Sequence, residues 1–260
     1  MRLQLLPSLI GGEGRAQLLS SYLIGERICI DAGSIGFQSD LDQQLAVRHI
    51  FITHSHSDHV ASLPTFLDAH FGVGADSETP VTIYATETTA ASLRQDLLND
   101  RHWPDFIRLS DESGKDLMRL QVIEVGTPVQ VEGVRITAVP VDHIVETVAY
   151  IVEDDSSACA IITDTGPTDE IWQRCHDVAG LTTVVLESAF PSRLQWLADV
   201  SKHLTPTTFQ TERAKAPHPD QLQLLAVHLK ANQYDEIAEE LIALSLPGVE
   251  VMEPGREYQV

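Results

Sequence analysis

Thr53-His54-Ser55-His56-Ser57-Asp58-His59 sets three imidazoles and one carboxylate within six consecutive positions, directly after the apolar run His49-Ile50-Phe51-Ile52. An extended chain sends alternate side chains to one face, so His54, His56 and Asp58 can point the same way. His59 adds a nitrogen as the chain turns into the next helix. Four such groups are too many for one tetrahedral cation that also keeps a position open, and they fit two adjacent half-sites better. Surface histidines on a loop are the plain alternative, but a set this dense after a buried strand points to metal. The donors are nitrogen and oxygen without thiolate, so zinc comes first, with manganese or iron as cations the same donors accept.

Each half-site needs completion from elsewhere, and open α/β architectures gather their sites at strand ends. Three apolar runs end on suitable residues. Val139-Pro140-Val141-Asp142-His143 offers His143 to the site begun by His54 and His56. Ile161-Ile162-Thr163-Asp164 offers Asp164 as a carboxylate that can bridge both cations. Ala226-Val227-His228 offers His228 as the partner of Asp58 and His59. Asp31, at the end of another apolar run, reads as either a turn residue or a group behind the ligands. His49, His70, His102, His176 and His218 read as ordinary structural or surface histidines.

The bulk of the 260 residues agrees with a hydrolase scaffold and excludes other classes. Hydrophobic residues make up 43% of the chain, enough for a large core. The 17 basic and 38 acidic residues give −21 at pH 7, which disfavours a long nucleic acid as partner but not a small anion held by metal. Cys29, Cys159 and Cys175 form no CxxC, and an odd number fits no complete intrachain disulfide set. A reducing cytoplasm is therefore the expected compartment. The first residues, Met1-Arg2-Leu3-Gln4-Leu5-Leu6-Pro7, lack the long apolar core of a signal peptide. No run reaches the roughly 18 apolar residues of a membrane span, so no membrane partner is expected. A homodimer is one assembly the sequence permits.

Outward from the ligand stretch, short β-rich runs alternate with helical ones, which reads as layered α/β in a single domain over 1–260. Residues 2–6 start a strand, and Gly11-Gly12-Glu13-Gly14 reads as a ligand-approaching loop or tight turn. Ser21–Ile24 and Arg27–Ile30 form a hairpin turning at Gly25-Glu26. A helix over 41–47, a strand over 49–53, a helix over Val60–Phe71 and a strand over Val81–Tyr84 follow. Thr86 caps a helix through Leu98. Residues 99–117 read as a loop able to wall a pocket, with Trp103 and Phe106 either anchoring it or stacking on a base. Strands follow at Leu120–Val125, Val129–Val131, Val134–Val139, Val148–Val152 and Ala158–Ile162. Thr168 caps a helix through Trp172. Thr183–Leu186 and Leu222–Val227 are buried strands, and Val249–Val251 is a closing one. Pro191–Val200, Pro206–Arg213 and about 234–244 are helical.

The Thr-His-x-His-x-Asp-His motif with His143, Asp164 and His228 downstream resembles the metallo-β-lactamase superfamily over nearly the whole chain. Gly11-Gly12 with Ser20-Ser21-Tyr22-Leu23 and Asp31-Ala32-Gly33, Leu186-Glu187-Ser188-Ala189-Phe190, and Ser201-Lys202-His203-Leu204-Thr205-Pro206 with His228-Leu229-Lys230 are similar to the class II 3′,5′-cyclic nucleotide phosphodiesterases. Ser57 and Ser62 depart from the leucine and glycine common in that family's histidine motif. The resemblance implies a four-layer αβ/βα sandwich with two divalent metal ions at one edge of its sheets.

It also implies a reaction. Two divalent cations less Asp58, Asp164 and a bridging hydroxide leave about one positive charge, which suits a monoanionic phosphodiester. The expected substrate is a small phosphodiester, cyclic AMP or cyclic GMP, converted to the 5′-monophosphate. Asp58, His203 and Glu187 are the candidate catalytic residues. The resemblance gives His203 contact with phosphate or protonation of the leaving oxygen, and Glu187 can orient it. Lys202 reads as a solvated lysine rather than a phosphate contact. Competing readings are a transfer-RNA 3′-processing endonuclease, a thioester or lactone hydrolase, and a metal-binding protein without catalysis.

Overall fold

The computed structural model describes residues 1–8, 18–73 and 80–260, so the Gly11-Gly12-Glu13-Gly14 expectation lies outside the described residues. Strands β1 (Arg2–Leu5), β2 (Tyr22–Ile24), β3 (Ile28–Ile30), β4 (His49–Phe51), β5 (Val81–Ala85) and β6 (Met118–Val122) lie side by side in that order. Strands β7 (Val129–Val131), β8 (Val134–Val141), β9 (Thr147–Glu153), β10 (Ala158–Ile162), β11 (Leu181–Glu187), β12 (Gln223–Val227) and β13 (Val249–Val251) build a second sheet in chain order. The last strand, β14 (Glu257–Gln259), returns to the first sheet and pairs antiparallel with β1. The β2–β3 hairpin turns at Gly25, whose φ of 61° a side chain would oppose, and its register pairs Tyr22 with Ile30.

Nine α-helices are described: α1 (Leu41–Ala46), α2 (Ser57–Val60), α3 (Leu63–Val73), α4 (Glu87–Ser92), α5 (Phe106–Glu112), α6 (Glu170–His176), α7 (Gln195–Ser201), α8 (Pro206–Arg213) and α9 (Tyr234–Ala243). Several start on side-chain caps. Asp40 accepts from Gln43 N–H, Thr86 from Thr89 N–H, and Thr205 forms a capping box with Thr208.

The side chains divide into three apolar layers, giving the four-layer αβ/βα sandwich. Between the sheets, Tyr22, Phe51 and Tyr84 meet Tyr150, Val185 and Leu225. Outside the first sheet, Phe66, Leu93 and Phe106 pack on Ile50 and Ile83. Outside the second, Trp172, Phe209 and Ile237 pack on Val184 and Leu224. Alternation along each strand feeds both faces, which is why these strands read as nearly continuous apolar runs.

Several local readings need correction. Residues 99–117 contain α5, capped by Asp105, which accepts from Arg108 N–H. Phe106 and Trp103 belong to the helix-side core, so neither is set out for a base. Asp169, not Thr168, holds the N-cap position of α6; the Thr168 N–H instead donates to Glu212 at 3.2 Å. The helix begun at Thr86 widens into a π turn over Leu93–Leu97. The helix expected over Val60–Phe71 is α3, starting three residues later, and a separate short helix, α2, precedes it. Asp58 therefore stands in the first turn of a helix and not on an extended chain.

Candidate metal centre

Strands β4, β8, β10, β11 and β12 deliver the predicted residues to one edge of the sandwich. β4 leads to His54 and His56, and the turn into α2 carries Asp58 and His59. From the second sheet, β8 leads to His143, β10 to Asp164, β11 ends on Glu187 and β12 leads to His228. The structure brings all seven predicted metal-ligating residues together. His54, His56, His143 and Asp164 form one group and Asp58, His59, Asp164 and His228 another, with the ligand atoms of each within 4.8 Å of one another. Asp164 belongs to both. Its Oδ2 is 3.7 Å from His54 Nε2, 3.8 Å from His143 Nε2 and 3.5 Å from His228 Nε2. Its Oδ1 is 3.3 Å from His59 Nε2. Asp58 Oδ2 lies 3.9 Å from both His59 Nε2 and His228 Nε2.

The rings are aimed from behind. His59 Nδ1–H donates to Asp31 at 2.6 Å, and His54 Nδ1–H donates to Thr53 Oγ1, whose own hydroxyl donates to Asp31. His143 Nδ1–H donates to the Lys202 carbonyl at 2.9 Å. These bonds settle the tautomers and leave Nε2 of each ring facing inward. Asp31 is thus a group behind the ligands, and it serves both sides through His59 and the Thr53 relay. Three non-glycine residues with left-handed backbone border the site: Asp31 at φ 62°, Lys202 at 54° and His228 at 62°. At each, a sharp change of chain direction re-aims the side chain or carbonyl toward the centre.

The donor set fits divalent cations. His54 Nε2, His59 Nε2 and Asp164 Oδ1 are buried polar atoms without a hydrogen-bond partner. Leaving such atoms unpaired is costly unless a ligand takes them up. Burial holds His54 and His56 below the usual histidine range, His143 down to about 4 and His228 to about 3. Those rings are neutral at pH 7 and can take up a cation without giving up a proton. For His59 burial also opposes the charge, but Asp164 and Asp31 outweigh it and carry the pKa well up. Burial disfavours the Asp164 anion too, and His228, His59 and His54 outweigh it, so its pKa lies well below the usual carboxylate range.

Beside these groups, His203 Nδ1–H donates to Glu187 Oε1 at 2.7 Å. The fully buried Glu187 also accepts from the Thr165 and Leu204 backbone N–H groups. The His203 ring centroid lies 4.9 Å from that of His143 and 5.4 Å from that of His228. Burial lowers the His203 pKa, but Glu187 overrides this and raises it. Burial raises that of Glu187, and His203 offsets only part. Lys202 is half-exposed, as expected of a solvated lysine, and its ammonium pairs with the exposed Asp142. Ser62, the departure from glycine, donates to the Ala32 carbonyl and accepts from Gly36 N–H, so it ties α3 to the loop after β3. The sequence reading assigned no role to Thr53, the Lys202 carbonyl or Lys230. Thr53 was discoverable, as a hydroxyl adjoining a ligand; a backbone carbonyl carries no residue-type signal.

The model described as the β-lactamase superfamily domain matches residues 26–234. A probable 3′,5′-cyclic-nucleotide phosphodiesterase of Yersinia pestis is 25% identical over 186 residues, covering 65% of this chain and 51% of that protein. The chain thus spans about half the length of that relative. Unliganded yeast PDE1 superposes with a TM-score of 0.73 at 14% identity, covering 96% of each chain. The metallo-β-lactamase fold protein YhfI of Bacillus subtilis does so at 0.69 and 15% identity, covering 99% of this chain and 98% of its own. At these identities the two structures speak for the fold alone. With that fold, the histidine and aspartate groups at its sheet edge and a family match across most of its length, this chain belongs to the metallo-β-lactamase superfamily.

Proposed function

We propose that the chain is a metal-dependent hydrolase of phosphodiesters, with a 3′,5′-cyclic nucleotide as substrate and the 5′-monophosphate as product. The observation that carries this reading is the buried Glu187–His203 pair, which adjoins the two ligand groups through Asp164 and takes up His203 Nδ1, so that Nε2 is the nitrogen left for a substrate proton. The proposed cofactor is two divalent cations, zinc first and manganese or iron next. His54, His56, His143 and Asp164 hold one, and Asp58, His59, Asp164 and His228 the other. When bound, such a pair supplies Lewis-acid charge to a phosphate oxygen and to the attacking water.

The side chains supply the rest. Asp31 and the Lys202 carbonyl keep the ligand rings fixed, so little reorganises during the reaction. Asp58, the more exposed of the two ligand carboxylates, accepts a hydrogen bond from the water. The water oxygen bonds to phosphorus as the bond from phosphorus to O3′ breaks, and the proton the water sheds passes to Asp58. The His203 imidazolium, favoured by Glu187, gives its Nε2 proton to O3′, and the 5′-phosphate and a free 3′ hydroxyl result.

The reading draws on the name of the Yersinia pestis relative for the substrate. It draws on the net charge of −21 against a long RNA, since a small monoanion meets far less repulsion. Metal-loaded protein should be incubated with cyclic AMP, cyclic GMP, 2′,3′-cyclic nucleotides and precursor transfer RNA, and the products identified. Release of 5′-AMP or 5′-GMP is expected. Cleavage of the transfer RNA alone, or no 5′-monophosphate from either 3′,5′-cyclic nucleotide, contradicts it.

A further inference from the structure

Of the chain's four lysines, Lys202 pairs with Asp142 and Lys215 with Asp169 and Glu212. Lys115 sits in the exposed turn between α5 and β6. Lys230 does something different: its Nζ donates to Nε2 of His228 at 2.9 Å. That nitrogen has one lone pair, and it is the atom His228 turns toward Asp164 and Asp58. The lone pair cannot both accept from an ammonium and ligate a cation, so a cation taken by His228 releases Lys230.

The released ammonium does not drift far, because its backbone is tied down. Lys230 N–H donates to the Ala189 carbonyl at 3.2 Å, and the Lys230 carbonyl accepts from Gln233 N–H at 2.8 Å. Ser188 N–H donates to Val227 O and Ala189 N–H to Leu204 O. The segments after Glu187, around His203 and after His228 are thereby laced together, with Lys230 at their junction.

We infer that Lys230 is a phosphate-contacting residue, whose ammonium binds the phosphoryl oxygens more tightly as their negative charge grows. This rests on the phosphodiester reading above. In a −21 chain, a cation held at the site and in no ion pair among the described residues is where an anion gains most. A monoanionic diester gains least from it, while the in-line transition state and the dianionic monoester gain more. Lys230 therefore discriminates by phosphate charge and also slows product release.

The test uses the full chain loaded with metal, as parent, Lys230→Met and Lys230→Arg. Bound metal is quantified in each, and inorganic phosphate is titrated calorimetrically at pH 8, where it is mostly dianionic. Metal content should stay at the parent level in both variants. Phosphate should bind about tenfold to hundredfold more weakly to Lys230→Met, as for loss of one charge-assisted hydrogen bond, with most of the affinity restored in Lys230→Arg. Phosphate binding equal to the parent in Lys230→Met, loss of metal from that variant, or no phosphate binding by the parent overturns the inference. Lys230-dependent phosphate binding by a parent that cleaves no phosphodiester overturns the functional reading and leaves this one standing.

Discussion

Asp31 is buried, left-handed at φ 62°, and accepts from His59 Nδ1–H, the Thr53 hydroxyl and Thr53 N–H. Asn tolerates that backbone and keeps an acceptor but loses the charge. Asp31→Asn is expected to weaken metal binding about 10- to 100-fold, measured by competition with a chelating dye. Unchanged affinity would reduce Asp31 to a turn residue. Glu187 acts on a proton instead. It raises the pKa of His203 against burial, and the leaving oxygen needs that proton, so the rate falls as pH rises through that pKa. Glu187→Gln lowers the pKa and should move the alkaline limb of the pH–rate profile to lower pH, with kcat down about 100-fold. A limb that stays in place would separate Glu187 from proton transfer. The seven candidate ligands were legible in the sequence because imidazole and carboxylate at strand ends are unusual enough to need a reason. Lys230 was quoted there only as part of a motif, because its role depends on how three distant segments are laced together.

The turn into α2 is the element on which the second half-site depends. Ser20 N–H donates to Asp58 O at 2.8 Å and Ala32 N–H to His59 O at 2.7 Å, so the turn is held by backbone from before β2 and after β3. Gly33 sits against it; a Cβ there would lie 2.0 Å from the Asp58 carbonyl oxygen. Gly33→Ala must therefore push Asp58 aside. The expected result is a loss of about 1–3 kcal/mol in stability by denaturant unfolding, with metal loading reduced. A variant as stable and as fully loaded as the parent would contradict this packing. Elements with their own periodicity and caps were readable, as with α8 after Thr205 and strands β10 and β13. Helix α5 was hidden because Trp103-Pro104 and Ser113-Gly114 look like breaks, though they flank a helix that Asp105 caps. Strand β14 was hidden because Glu257-Tyr258-Gln259 has one apolar residue and pairs with the far end of the chain.

At the scale of the molecule, each half-site draws on both sheets: His54, His56, Asp58 and His59 come from the first, and His143, Asp164 and His228 from the second. The sheets are also joined just beneath the site, where Tyr150 Oη–H donates to Ile52 O at 2.8 Å and Val148 N–H to Thr53 O at 3.2 Å. A cation held across that seam binds only the assembled sandwich and so stabilises it by mass action. Removing metal with a chelator is expected to lower Tm by about 5–10 °C, for metal present at about 100 times its dissociation constant. An unchanged melt would mean that the groups on the two sheets do not share ions. The order of strands across the seam was not legible in the sequence, because it is set by pairings between distant segments. The proposed function has these groups hold two cations for the hydrolysis of a cyclic phosphodiester. Its most direct test is to titrate metal-free protein with zinc or manganese while following 5′-monophosphate release from cyclic AMP or cyclic GMP. Activity should be absent without metal and reach its plateau at two equivalents. Full activity at one equivalent or without metal, or no 5′-monophosphate at any loading, would rule that function out.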